Sequence, residues 1–174
     1  MRVLGIDPGL TRCGVAVVDG AAGRSTSLVH VGVVTTDHQQ PIELRLTAVA
    51  AAIEALIDEF SPDALAIERV FSQHNVRTAT GTAQAAAMGL LLAGQRGIPV
   101  ALHTPTEVKA AVTGNGRADK AQVTAMVTRI LHLGGPPRPA DAADALAIAI
   151  CQLWRGESQR RIQRAVAAAA AGRP

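Results

Sequence analysis

The chain has 174 residues, 48% hydrophobic and 18% charged, with a formal net charge of +3. That length and apolar content fit one domain with a proper core and exclude disorder throughout. The longest unbroken apolar stretch, residues 85–93, is far below the roughly 18 residues a membrane span requires, so no membrane partner is expected.

Residues 2–7 form a short, mostly apolar run that ends at Pro8-Gly9, the pattern of a buried strand followed by a tight turn. The same Asp7-Pro8-Gly9 turn interrupts any N-terminal leader, so a cytoplasmic protein is expected. Residues 13–18 are rich in Val and close at Asp19-Gly20, and residues 28–35 alternate apolar with small polar positions; together the three segments predict an antiparallel meander. After Pro41 the spacing becomes helical, with Ile42, Leu46, Val49, Ile53, Leu56 and Ile57 on one face, and stops before Ser61-Pro62. Residues 64–67 read as a buried strand ending in Glu68. A helix over about 76–95 is crowded with Ala and Gly, which lets another helix approach closely. A short strand over 100–102, helices over 106–112 and 120–131, and a last helix from about Pro139 to Trp154 complete the order. The expected fold is α/β: a mixed five-stranded sheet, an antiparallel meander plus parallel strands, flanked by helices. Residues 1–154 form the domain and 155–174 a basic Ala/Arg-rich tail.

Charge is unevenly distributed. Between Arg69 and Arg138 eight basic residues face only Glu107 and Asp119, and from Arg155 onward five arginines face only Glu157. The middle segment suits a polyanion such as nucleic acid, whereas the tail reads as a solvated face. Cys13 and Cys151 belong to no metal-ligand spacing and read as reduced structural thiols. The five histidines form no ligand pattern either.

Four carboxylates stand out. In sheets of this type ligands gather beyond the carboxyl ends of the strands, where Asp7 and Glu68 fall. Asp141 and Asp144, spaced i, i+3, share one face in the opening turn of the last helix. Taken alone, that pair equally suits the positive end of a helix dipole, and Asp7 suits an ordinary Asp-Pro-Gly turn. Glu68 is different, since an acid ending an apolar strand needs a basic or a functional partner. Convergence of all four would cost roughly 4 kcal/mol per pair about 4 Å apart at an effective dielectric near 20. Divalent cations would offset that repulsion, and an oxygen-only donor set favours Mg²⁺, with Mn²⁺ able to substitute, over zinc. Two such ions can activate water and stabilise the leaving oxygen of a phosphodiester.

The order of motifs resembles the RuvC family of crossover junction endodeoxyribonucleases, the Holliday junction resolvases. The resemblance rests on Gly-Ile-Asp-Pro-Gly at 5–9 followed by Gly14, Ala-Ile-Glu-Arg-Val-Phe at 66–71, Asn75, Lys109, Lys120 and Asp-Ala-Ala-Asp-Ala-Leu-Ala at 141–147. It implies a ribonuclease-H-like fold, a homodimer, and Mg²⁺-dependent paired nicking of a four-way DNA junction in recombination and repair, in cooperation with the RuvA and RuvB branch-migration proteins. Its metal-binding acids fall on Asp7, Glu68, Asp141 and Asp144, with two ions expected per site. Lys109 and Lys120 match basic positions near the scissile phosphate, and Lys120 is counted with the catalytic set. Phe71 matches an aromatic that engages bases at the junction centre; packing into the core is its alternative. Arg69, Asn75 and Arg77 complete the expected DNA contacts. Relatives often continue with a second aromatic and a lysine, where this chain has Ser72 and His74. By the same resemblance the helix over 76–95 is a candidate dimer surface.

Two other functions share parts of this pattern. The first loop is also similar to that of the actin and sugar-kinase superfamily, whose phosphotransferases need a second lobe that this length does not supply. A non-catalytic junction-binding protein would keep the basic segment but has no need of four arranged carboxylates.

Overall fold

The computed structural model describes residues 1–21, 24–69 and 76–171, with side chains in the last stretch from 79 to 156. Five strands form one sheet in the order β3-β2-β1-β4-β5. They are β1 (Arg2–Asp7), β2 (Arg12–Gly20), β3 (Thr26–Thr35), β4 (Ala64–Glu68) and β5 (Val100–His103). β1 pairs antiparallel with β2 and parallel with β4, β2 antiparallel with β3, and β4 parallel with β5. The mixed sheet and its antiparallel meander are therefore as the sequence predicts. β2, β3 and β5 each extend one or two residues beyond the expected limits.

Strand alternation divides the core into two layers. Leu4, Ile6, Val15, Val17, Leu65 and Ile67 face α1 (Ile42–Phe60) and α2 (Val76–Arg96). Val3, Ala16, Val18 and Ala66 face the opposite layer, which holds α3 (Pro105–Thr113), α4 (Lys120–Ile130) and α5 (Ala140–Ala171). Val49, Ile53, Leu56 and Ile57 bury the predicted stripe of α1, but Ile42, in its first turn, stays exposed. α3 and α4 each start in a capping box, Thr104 with Glu107 and Asp119 with Gln122, which satisfies two orphan N–H groups at each end.

α5 is the central element of its layer. Its residues 142–151 are buried apart from Asp144, as befits a helix apolar on every side. Its approach to the sheet depends on two glycines. A Cβ on Gly5 would stand 2.4 Å from the Ala145 carbonyl oxygen, and one on Gly14 would stand 2.2 Å from that of Asp141. The expected end at Trp154 is corrected, since α5 runs on to Ala171. Residues 155–171 contain no proline and many alanines, so nothing in them stops the helix. No helix among the described residues is long and apolar enough to cross a membrane.

Candidate active site

The carboxyl ends of β1 and β4 meet the first turn of α5 on one face of the sheet. Asp7 follows Val3 and Gly5 by the two-residue alternation of β1, so its side chain emerges on the α5 side. Glu68 follows Ala66 in the same way on β4, one strand away. Asp141 and Asp144 come from above, at the helix terminus that Gly14 admits. A cleft of about 300 Å³ is lined by Asp7, Glu68, Lys109, Lys120, Asp141 and Asp144, with apolar walls from Val108 and Val123.

The acids differ in their surroundings. Asp7 is pushed up to about 7, first by burial and then by Glu68, Asp144 and Asp141, with Lys120 pulling the other way. Burial also raises Glu68, assisted by Asp144 and opposed by Lys120 and Lys109. Asp144 accepts a hydrogen bond from Lys120 Nζ at 3.1 Å, and that contact raises the lysine. Asp141 accepts from Arg12 Nε at 2.7 Å. The two deep carboxylates thus lack an ion-pair partner among the described residues, and the two outer ones each hold a cation.

This donor set fits a hard divalent ion. It is made of carboxylates only, and its half-buried pair, Asp7 and Glu68, is held by desolvation and by neighbouring negative charge in a state that added positive charge would relieve. As the side chains stand, no three His, Cys, Asp or Glu residues among those described are close enough together to hold an ion. A larger cleft of about 520 Å³ at the opposite end of the sheet, lined by Met1, Arg2, Asp19 and Asp63 among others, is a different environment. There Asp19 is already paired with Arg2 at 2.8 Å.

Of the expected site residues, the four carboxylates, Lys109 and Lys120 share the cleft. Arg69 is exposed and outside its lining; its backbone N–H donates to the His103 carbonyl at 2.7 Å. Phe71, Ser72, His74 and Asn75 lie outside the described residues, and so does the side chain of Arg77. Sequence reasoning missed Arg12. The signal existed, because Arg12, Gly14, Ala16 and Val18 alternate onto the face that α5 covers, but only the fold shows which acid waits there.

The fold and acidic cleft are those of a ribonuclease-H-like nuclease. The family model for "Crossover junction endodeoxyribonuclease RuvC" matches residues 3–152. A crossover junction endodeoxyribonuclease of Streptomyces avermitilis is 65% identical over 96% of this chain and 95% of its own, and one of Streptomyces griseus is 66% identical over 97% and 82%. Thermus thermophilus RuvC, solved in complex with a Holliday junction substrate, superposes with a TM-score of 0.87 at 36% identity, covering 91% of this chain and 96% of that one. The chain belongs to the RuvC family of crossover junction endodeoxyribonucleases.

Proposed function

We propose that this chain resolves four-way DNA junctions by paired, symmetric, Mg²⁺-dependent nicks, with Asp7, Glu68, Asp141 and Asp144 as metal ligands. Family membership makes it a metal-dependent endodeoxyribonuclease acting on Holliday junctions. The observation that carries the assignment of residues is the single cleft shared by four carboxylates and two lysines. Asp7, Glu68, Asp141 and Asp144 would hold the ions, two per site in this reading, which when bound would supply an activated water and neutralise charge on the leaving oxygen.

The protein's own groups do the rest. Asp7 and Glu68, fixed at strand ends, form a rigid floor whose unrelieved charge favours cation uptake at neutral pH. Asp141 and Asp144 sit on a helix end and close the site from the other side. Lys120, 79% exposed at its side chain, can leave Asp144 for a phosphate oxygen and stabilise the negative charge of the transition state. Lys109 adds backbone affinity. Arg69, Asn75, Arg77 and Phe71 complete the DNA surface by resemblance, with Phe71 stacking on unpaired bases.

A subunit with a radius of gyration of about 16 Å cannot address two strands of an open junction, so a two-fold homodimer is part of the proposal. Its support is the outer face of α2, where Ala83, Ala87, Leu90, Leu91 and Gly94 are exposed. Cooperation with RuvA and RuvB, and a cytoplasmic location, follow from the resemblance. The proposed nuclease domain is 1–154, with 155–174 an accessory tail.

The test is cleavage of an end-labelled mobile four-way junction, with linear duplex as control, by wild type and Asp141→Asn, with and without Mg²⁺. Symmetric nicks in the junction only, requiring Mg²⁺ and lost in a variant that still binds, are expected. Binding without cleavage across a range of junction sequences and divalent ions would leave a junction-binding protein instead.

A further inference from the structure

The outer acid Asp141 is occupied by a cation that neither its helix nor its neighbours in sequence supply. Arg12 Nε donates to Asp141 Oδ2 at 2.7 Å, across 129 residues of chain. The Arg12 side chain is 47% exposed, and its terminal amino groups donate no hydrogen bond to the described residues, which leaves them available to a further acceptor. Its backbone is anything but loose. Thr36 Oγ1 donates to the Leu10 carbonyl at 2.6 Å, the Thr36 N–H donates to the Thr11 carbonyl at 3.0 Å, and Arg45 donates to both Thr11 Oγ1 and Thr36 Oγ1. Gly9 lets the turn close, for a Cβ there would stand 2.1 Å from the Arg12 carbonyl oxygen. A partly exposed guanidinium is thus held from the clamped start of β2 against Asp141, an acid of the cleft lining.

We propose that Arg12 is a resident counterion that competes with metal for Asp141 in the free protein and transfers to a DNA phosphate when a junction docks, so that substrate binding promotes metal loading. This deepens the nuclease reading above and rests on it. Two observations carry it. The carboxylates as they stand do not form an ion-holding group among the described residues, and Asp141 is paired with Arg12. A phosphate offers the guanidinium the same planar, bidentate geometry as a carboxylate, with stronger charge assistance. The exchange moves one positive charge off the ligand as a divalent ion arrives, and by linkage the junction and the ion then strengthen each other's binding.

The direction of the effect separates this role from simple support of Asp141. Mn²⁺ affinity of the DNA-free protein is measured by calorimetry for wild type, Arg12→Ala and Arg12→Lys, each checked by circular dichroism for folding. Arg12→Ala is expected to bind Mn²⁺ roughly two- to fivefold more tightly, the range set by loss of one partly exposed ion pair, while Arg12→Lys stays near wild type. The half-saturating Mn²⁺ concentration in single-turnover junction cleavage is then compared with the free-protein affinity. In wild type the junction should lower it, and in Arg12→Ala that advantage should shrink or vanish. Weaker or unchanged Mn²⁺ binding by free Arg12→Ala overturns the proposal, as does an undiminished junction advantage. Failure of wild type to cleave any junction would remove the nuclease reading, whereas the calorimetric comparison still decides the contest between Arg12 and the ion.

Discussion

Asp7, proposed as a metal ligand, carries an energetic cost for the fold that holds it. Its carboxyl is pushed up to about 7 from an ordinary 3.8, so between about pH 4 and 7 the folded state holds a proton that the unfolded state has released. Stability of the metal-free protein must then fall as pH rises through that window. Asp7→Asn removes the ionisation, and we expect it to stabilise the metal-free protein at pH 8 by roughly 2–4 kcal/mol, with little gain near pH 4. Thermal melts in EDTA at the two pH values check this, and an Asn variant no more stable at pH 8 would contradict it. Lys120 and Arg12 show the complementary economy, since each neutralises an outer acid from an exposed position without closing the cleft. Asp7 and Glu68 were legible as candidates because strand ends are where such sheets bind ligands; Arg12 was not, because its partner lies 129 residues away in sequence.

At the scale of elements, the site is an intersection of β1, β4 and α5, and its precision depends on how closely the helix lies on the sheet. Gly5 and Gly14 set that distance by having no Cβ to meet the α5 backbone. Gly5→Ala is expected to cost about 1–3 kcal/mol by overpacking, read as a lower urea midpoint, and to reduce cleavage by lifting Asp141 and Asp144 away from the strand ends. An Ala variant with wild-type midpoint and rate would show that the helix adjusts freely. The order and type of every element could be read from periodicity and turn residues, because burial on one or both faces imprints a period on the sequence. The end of α5 could not, because no proline marks a stop between Trp154 and Ala171 and the alanine-rich sequence there keeps a high helix propensity. Glu107 belongs to this scale too, capping α3 through Thr104 and accepting from Arg155 at 2.9 Å, so that α3 is tied to α5 behind the cleft.

For the whole molecule, the inner and outer faces of α2 divide its small residues between two tasks. Ala85, Ala86 and Ala93 are buried with the sheet layer, and Gly89 lies against Ile6 and Ile67. Leu90 and Leu91 remain 41% and 54% exposed, an apolar surface that a dimer would cover. Leu91→Glu should yield a monomer by sedimentation that retains its circular dichroism spectrum and loses paired nicking; an unchanged dimer would move the interface elsewhere. Truncation after Glu157 should leave junction nicking intact, since it keeps Arg155 and the whole region matched by the family model. Loss of cleavage on a bound junction would assign the rest of α5 a part in the chemistry.

By itself the sequence determined the α/β class, the meander, the strand ends that carry Asp7 and Glu68, and the helix turn that carries Asp141 and Asp144, because local periodicity and spacing record which face of each element is buried. Only the tertiary structure decided that these acids share one cleft with Lys109 and Lys120, that Asp7 and Glu68 lie deep while Asp141 and Asp144 hold rim cations, and that Arg12 is one of them. Those are facts of distance and dielectric between segments far apart in the chain, and such quantities exist only once the helix has settled onto the sheet.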